Sequence, residues 1–149
     1  MEVTVTRPAP ADPVVAALCA EQQLELAHRE SREPYHPRKG INPLIEFVVL
    51  WAGGEPVGCA GLQPLEPGVS EIKRMYVRPE ARGTGLSRLL LAELEALAAE
   101  RGTPVLRLET GALLTEAIAL YTRSGFVPIP AFGEYAGNAE SLCFEKRLG

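Results

Sequence analysis

Residues 71–102 read EIKRMYVRPEARGTGLSRLLLAELEALAAERG and join a strand, a glycine turn and a helix. Glu71 to Val77 predicts a strand of mixed charge, and Arg78-Pro79 ends it because proline cannot donate to a β-ladder. An apolar stripe with the 3.6-residue period of a helix then predicts an amphipathic helix over Leu86–Ala99. Its members are Leu86, Leu90, Leu94 and Leu97.

The flanking sequence predicts further strands and helices on either side of this unit. Asp12 before Pro13 is a strong signal for a helix start, and the apolar run LIEFVVLW is typical of a strand covered on both faces. Pro64 to Gly68 is expected to break the chain between two strands. Strands are expected at Val3–Thr6, Leu44–Trp51, Val57–Leu62, Val105–Glu109, Phe126–Ile129 and Leu142–Arg147, and helices at Pro13–Arg29 and Thr115–Arg123. Strand–helix–strand units joined to hairpins indicate an α/β fold, a mixed sheet with helices on both faces.

Length and composition favour one packed domain over residues 1–149. The chain has 149 residues, 46% of them hydrophobic, which is ample for a core and too short for two well-cored domains. A net charge of −4 argues against a nucleic-acid partner, which usually needs a broad basic face. The N-terminus lacks a secretory pattern and no apolar run could cross a bilayer, so we expect no membrane contact and a cytoplasmic protein.

The cysteines and histidines give little sign of a metal site. Cys19, Cys59 and Cys143 are far apart and include no C-x-x-C pair, so a disulfide scaffold or a structural zinc site is not expected. His28 and His36 are the two histidines, and no paired ligands surround them. We therefore predict no metal.

The turn between the strand and the long helix predicts an anion site. Gly83 and Gly85 allow the backbone to turn sharply and to approach a ligand closely. The helix start directs unpaired N–H groups and the positive end of its dipole at that point. Between Glu71 and Arg88 five basic side chains stand against two acidic ones, in a chain whose net charge is negative. A phosphate or pyrophosphate is the natural ligand of such a turn.

The glycine turn also suits simpler or different roles. It could be an ordinary helix start with solvated arginines around it. A Walker A loop is excluded, since no G-x-x-x-x-G-K-[ST] string occurs. A dinucleotide fingerprint fits poorly, because Arg88 stands where the third glycine belongs. A plain nucleotide-binding protein stays as an alternative, which would bind NAD or ATP.

Residues 75–102 resemble the coenzyme A-binding segment of the GNAT acyltransferases, a strand followed by [QR]-x-x-G-x-[GA] and a helix. Glu80 stands at the first motif position, where the family has Gln or Arg. ALYTRSGF, residues 119–126, resembles the family's second signature, a helix ending L-Y-x-x-x-G-F, with Leu114 near the place of a frequent asparagine. The order of elements agrees along nearly the whole chain. The resemblance implies a largely antiparallel central sheet of six to seven strands.

The resemblance also implies acetyl-CoA as co-substrate and assigns residues to it. The main chain near Met75, Tyr76 and Val77 would pair with the pantetheine arm like an added strand. That strand would splay from Val105–Glu109 to leave a V-shaped gap for the thioester. The pyrophosphate would lie on the main-chain N–H groups of Arg82, Gly83, Thr84, Gly85, Leu86 and Ser87.

Transfer of an acetyl group to a primary amine requires a proton acceptor. A lysine-like amine has a pKa of about 10.4, so only about 4 in 10⁴ molecules are neutral at pH 7. The resemblance points to Glu71 as that base, directly or through water, although Glu71 also suits a surface pair with Lys73. It points to Tyr121 as hydrogen-bond donor to the departing thiolate, although Tyr121 also suits plain packing. Cys59 and Cys143 have no evident base, so we expect direct attack of the amine.

The acceptor pocket is expected to draw on the loops Ser31–Pro43 and Phe132–Ser141. Its candidate side chains are Tyr35, His36, Glu134, Tyr135 and Asn138. A small-molecule amine or an amino acid is favoured as acceptor, and protein N-termini or lysines stay open. A catalytically silent acyl-CoA-binding or regulatory module is the rival from another class. A homodimer is consistent with the resemblance alone.

Overall fold

The computed structural model describes residues 2–29 and 40–149. Its helices are α1 (Pro13–Arg29), α2 (Leu86–Glu100) and α3 (Thr115–Arg123). Its strands are β1 (Val3–Thr6), β2 (Glu46–Ala52), β3 (Glu55–Glu66), β4 (Val69–Val77), β5 (Val105–Gly111), β6 (Val127–Ile129) and β7 (Ser141–Arg147). The Asp12 carboxylate accepts a hydrogen bond from the Val14 N–H at 2.9 Å, so α1 begins where the sequence predicted.

The strands form one seven-stranded sheet in the order β1-β2-β3-β4-β5-β7-β6. The β4–β5 pair is parallel and the other neighbours are antiparallel. The mixed, largely antiparallel sheet is therefore confirmed, as are the order and type of the predicted elements.

The core lies on both faces of this sheet, because successive strand residues point in opposite directions. On one face, α1 packs over Phe47, Val49 and Cys59. On the other, the leucines of α2 pack over Val48 and Leu50. The middle of β2 is completely buried, in agreement with the prediction of a strand covered on both faces.

The predicted break at Pro64 is wrong. Strand β3 continues through Pro64 to Glu66, and β4 already begins at Val69. Pairing between β2 and β3 ends at Leu62, so Pro64 pairs only with Ser70 of β4. A proline is tolerated there because its missing N–H leaves no β2 partner unsatisfied.

Strands β4 and β5 separate soon after they meet. Their pairing covers only Val69–Val105, Ser70–Leu106 and Glu71–Arg107. Opposite β3, the register of β4 shifts between the Cys59–Tyr76 and Gly61–Lys73 pairs. Arg74 lies in this bulge at a φ of 58°, the one non-glycine residue with positive φ in the described chain. The bulge and the separation open the sheet beside Met75.

None of the helices in the described part of the chain is both long enough and apolar enough to cross a membrane.

Candidate active site

A cavity of about 1450 Å³ occupies the gap between β4 and β5. It runs from the start of α2, past the separated strands, to the loop between β6 and β7. The sites expected for the pyrophosphate, the thioester and the acceptor therefore share one continuous space.

The start of α2 presents a row of unused N–H donors to this cavity. Gly83 and Gly85 have φ angles of 81° and 84°, which favour glycine. Among the described residues, no acceptor takes a hydrogen bond from the N–H groups of residues 83–87. These groups and the positive end of the α2 dipole form an anion-binding concavity.

One predicted contact in this loop, that of the Arg82 N–H, is replaced by a local bond. The Arg82 N–H already donates to the Pro79 carbonyl oxygen at 3.2 Å, so the row of free donors begins at Gly83. Thr84 is not among the residues that line the cavity, and its hydroxyl donates to the Ala81 carbonyl oxygen at 2.8 Å, while its main-chain N–H has no acceptor among the described residues. Met75, Tyr76, Val77, Leu86 and Ser87 line the cavity together with both glycines.

Two of the five basic residues between Glu71 and Arg88 form ion pairs with glutamates of α1. Arg78 forms a two-pronged hydrogen-bonded pair with Glu21, at 3.0 and 2.7 Å. Arg82 places one terminal nitrogen 2.8 Å from both carboxylate oxygens of Glu25. These ion pairs connect α1 to the glycine loop. Because Arg78 and Arg82 already have carboxylate partners, the anion site consists mainly of main-chain N–H groups. Burial, followed by the charge of Glu21, raises the pKa of neighbouring Tyr76 to about 12.

Tyr121 lies against β4, at the wide part of the gap. Its hydroxyl donates to the Met75 sulfur at 3.5 Å, and its ring packs edge-on against Phe126. Burial, followed by the charge of Glu109, raises the pKa of Tyr121 to about 12. The phenol is therefore protonated at neutral pH and can act as a hydrogen-bond donor.

Glu71 lies on the cavity wall with only 4% of its surface exposed. Tyr135 donates its hydroxyl hydrogen to a Glu71 oxygen at 2.7 Å, and Lys73 approaches the same oxygen to 3.2 Å. Lys73 also donates to the Tyr135 hydroxyl at 2.8 Å. Burial, followed by the hydrogen bond to Glu71, raises the pKa of Tyr135 well above its usual value. These contacts satisfy a buried carboxylate that faces the cavity.

The other residues predicted to line the pocket of the acetyl acceptor differ in their surroundings. Glu134 is largely exposed, 3.7 Å from Lys73. The Asn138 side-chain oxygen accepts from the Glu140 N–H at 2.9 Å, which gives it a structural task in its turn. Tyr35 and His36 lie outside the described residues.

None of the three cysteines is among the residues that line the cavity. All three are buried, and burial raises the pKa of the Cys143 thiol. The Cys59 thiol donates to the Arg74 carbonyl oxygen at 3.4 Å. Within residues 2–29 and 40–149, no group of three or more histidine, cysteine or acidic side chains is arranged to hold a metal.

Two further side chains on the cavity wall, Gln22 and Arg74, were not among the predicted site residues. Gln22 of α1 donates its amide hydrogen to the Met75 carbonyl oxygen at 2.6 Å. Arg74 lines the cavity from the bulge of β4. An α1 glutamine carries no local signal, and the bulge follows from strand register rather than from any turn residue.

Comparison with known proteins identifies the family to which most of this sequence is similar. Residues 15–126 match the Acetyltransferase (GNAT) family. An IAA acetyltransferase of Azospirillum brasilense is 36% identical over 150 residues, covering 98% of each chain.

Solved structures share the complete fold. A structure from Klebsiella pneumoniae, described as that of an acyl-CoA N-acyltransferase, has a TM-score of 0.84 and 37% identity over 99% of this chain and 98% of its own. A GNAT acetyltransferase of Elizabethkingia anophelis, solved with acetyl-CoA bound, has a TM-score of 0.72 and 18% identity over 98% of both chains, which shows a common fold. With its open sheet, its glycine loop and a match across most of its length, this chain belongs to the GNAT acetyltransferase family.

Proposed function

We propose that this protein, acting as a single domain, transfers the acetyl group of acetyl-CoA to a primary amine by direct attack. The observation that carries the proposal is the row of unused N–H donors at residues 83–87, which opens onto the gap beside Met75. A pyrophosphate on these donors would leave the pantetheine arm directed along β4. Acetyl-CoA as co-substrate is supported by the similarity to the Azospirillum acetyltransferase and to the Elizabethkingia protein that was solved with acetyl-CoA bound.

In the proposed reaction the amine lone pair attacks the thioester carbonyl carbon. A nitrogen–carbon bond forms, the carbon–sulfur bond breaks, and the electron pair of that bond goes to sulfur. The amine proton passes to Glu71, directly or through a water molecule. Tyr121 donates a hydrogen bond to the developing thiolate.

Glu71 is suited to this task because its surroundings hold it in place on the cavity wall. Tyr135 and Lys73 both contact the same carboxylate oxygen, Oε2. The carboxylate has two oxygens with several acceptor positions, so these contacts leave room for a further donor. Lys73 balances its charge in a site of low exposure.

Gly85→Ala is expected to weaken coenzyme A binding about 10- to 100-fold, because hydrogen bonds to a charged group are lost when the loop shifts. An alanine at a φ of 84° is strained by about 1–2 kcal/mol. Isothermal titration calorimetry with coenzyme A measures the effect.

Gly54→Ala is the matched control. Gly54 has a φ of 80°, and, as at Gly85, a Cβ there would meet nothing within 4 Å, but it lies in the β2–β3 turn. We expect a similar loss of stability and no loss of affinity. Equal affinities for the two variants would contradict the assignment of the loop.

The proposal is tested by thiol release from acetyl-CoA across a panel of amines, amino acids and short peptides. We expect an amine-dependent rate well above background hydrolysis, with the acetylated amine identified by mass spectrometry. A flat panel together with tight coenzyme A binding would favour a silent acyl-CoA-binding module instead. No binding of acetyl-CoA at all would reject both.

A further inference from the structure

Thr110 of β5 carries a buried hydroxyl that has no partner among the described residues. Its side chain lies on the cavity wall and is only 6% exposed. By contrast, the buried Ser70 hydroxyl donates to Thr103 at 2.9 Å. Within residues 2–29 and 40–149, the Thr110 hydroxyl takes part in no hydrogen bond. Leaving a buried hydroxyl unpaired is unfavourable, which indicates that a ligand in the cavity supplies the partner.

The Thr110 oxygen is open to the cavity and is not sealed in the core. In the described chain, the unpaired side-chain atom that is fully enclosed is Oε1 of Gln22, and the Thr110 oxygen is not enclosed in this way. Because Thr110 also lines the cavity, a molecule bound between β4 and β5 can reach its hydroxyl.

Strand alternation places Thr110 on the face of the sheet that is covered by α2. Leu106 and Leu108 pack in the core with the leucines of α2, and Thr110 is the next buried residue of β5 with the same orientation. Tyr121 packs in that same core. Thr110 and Tyr121 therefore lie on one side of the sheet.

Tyr121 extends across β5 close to Thr110. Its ring packs against Phe144 of β7, with 6.4 Å between the ring centroids, and its hydroxyl contacts the Met75 sulfur in β4. In the sheet β5 lies between β7 and β4, and Phe144 pairs with Leu108 of β5. The Tyr121 hydroxyl therefore reaches the gap at the level of Leu108 and Thr110.

The base of the proposed reaction lies on the other side of the sheet. Ile72 packs in the core beneath α2, so its neighbour Glu71 points the opposite way. Tyr135 bonds to Glu71 on that side. An amine held near Glu71 would approach the thioester from one face, which leaves the departing sulfur as the group that Thr110 and Tyr121 can contact from the other.

We infer that Thr110 is a second hydrogen-bond donor to the sulfur of coenzyme A, beside Tyr121. The inference rests on the proposed function, in which the thioester lies in the gap next to Tyr121. As the carbon–sulfur bond breaks, its electron pair goes to sulfur, and the Thr110 hydroxyl donates a hydrogen bond to the thiolate while keeping its proton. Donors fixed in a site of low exposure stabilise a charge that develops only in the transition state.

The test separates the hydroxyl of Thr110 from its methyl group. Thr110→Val keeps the shape and removes the hydroxyl, whereas Thr110→Ser keeps the hydroxyl and removes the methyl group. With acetyl-CoA and the best amine of the panel, we expect Thr110→Val to lower kcat by about 10- to 100-fold, the effect of one hydrogen bond to a charged group. Thr110→Ser should retain most of the wild-type kcat. Calorimetry with coenzyme A should give nearly equal affinities for both variants.

Thermal melting distinguishes this role from a structural one. Because the hydroxyl has no partner in the described chain, Thr110→Val should melt no lower than the wild type. Thr103→Val is the matched control. The Thr103 hydroxyl accepts from Ser70 and donates to the Ala98 carbonyl oxygen at 3.3 Å, and Thr103 is not among the residues that line the cavity. This variant should melt at a lower temperature and keep the wild-type kcat.

Three outcomes would overturn the inference: a wild-type kcat in Thr110→Val, an equal loss of kcat in Thr110→Ser, or a loss of coenzyme A affinity in Thr110→Val without a change in kcat. The last would place the hydroxyl on the pantetheine arm. Should the valine variant not fold, Thr110→Ala and Thr110→Ser give the same comparison, since they differ only in the hydroxyl. No thiol release by the wild type with any amine rejects the proposed function itself, whereas normal turnover in Thr110→Val rejects this inference alone.

Discussion

Glu71→Gln is expected to lower kcat/KM for the amine by about 100- to 10,000-fold, the range of general-base catalysis. The amide keeps the size of the carboxylate and can still accept hydrogen bonds from Tyr135 and Lys73. It cannot take a proton from the amine. Because the substitution removes a base and not a binding contact to coenzyme A, the KM for acetyl-CoA should change little. Steady-state kinetics with each substrate varied in turn measures both quantities.

Glu109→Gln is the matched control for this experiment. Glu109 lines the same cavity, and its carboxylate accepts a hydrogen bond from the Ser141 hydroxyl at 2.7 Å. We expect a loss of less than about tenfold there, since one ordinary hydrogen bond contributes about 1 kcal/mol. Similar losses in the two variants would show that the cavity needs acidic charge in general rather than Glu71 as the base. Thermal melting of both proteins separates these effects from unfolding.

Tyr121→Phe is expected to lower kcat by about 10- to 100-fold while coenzyme A affinity stays close to the wild-type value. A hydrogen bond to a charged group contributes about 1.5–3 kcal/mol, and this one would form only as the thiolate develops. The phenylalanine keeps the edge-on contact with Phe126. Single-turnover rates and calorimetry with coenzyme A separate the two quantities.

The raised pKa of Tyr121 determines how it can act. Its environment disfavours the phenolate, so the hydroxyl stays protonated until the pH approaches about 12. An ordinary thiol has a pKa of about 8.5, so a complete proton transfer from Tyr121 to the thiolate would be unfavourable. Tyr121 therefore serves as a hydrogen-bond donor, and the rate should not decline from its ionisation between about pH 7 and 10. Unchanged turnover in Tyr121→Phe would remove this residue from the mechanism.

Local sequence signals predicted most of the architecture. The leucine stripe of α2, the Asp12-Pro13 start of α1 and the apolar run in β2 each reflect an interaction between near neighbours in the chain. The spacing of Gly83 and Gly85 likewise predicted the anion-binding turn, since left-handed backbone angles are intrinsic to glycine. The predicted strand break at Pro64 was wrong because the effect of a proline depends on which edge of the strand its missing N–H would face. The pairing partners of a strand cannot be deduced from the local sequence alone.

Thus the sequence by itself determined the family, the order of the elements and the turn that presents free N–H groups. The tertiary structure decided which side chains are available there. Arg78 and Arg82 belong to the basic residues that suggested a phosphate site near the turn, but glutamates 57 residues away in α1 hold them. Arg74 was placed on the cavity wall by a bulge, and Gln22 was brought to Met75 from 53 residues away. Charge pairing and strand register act between segments distant in sequence, so only the folded chain shows which of these arginines are held by carboxylates.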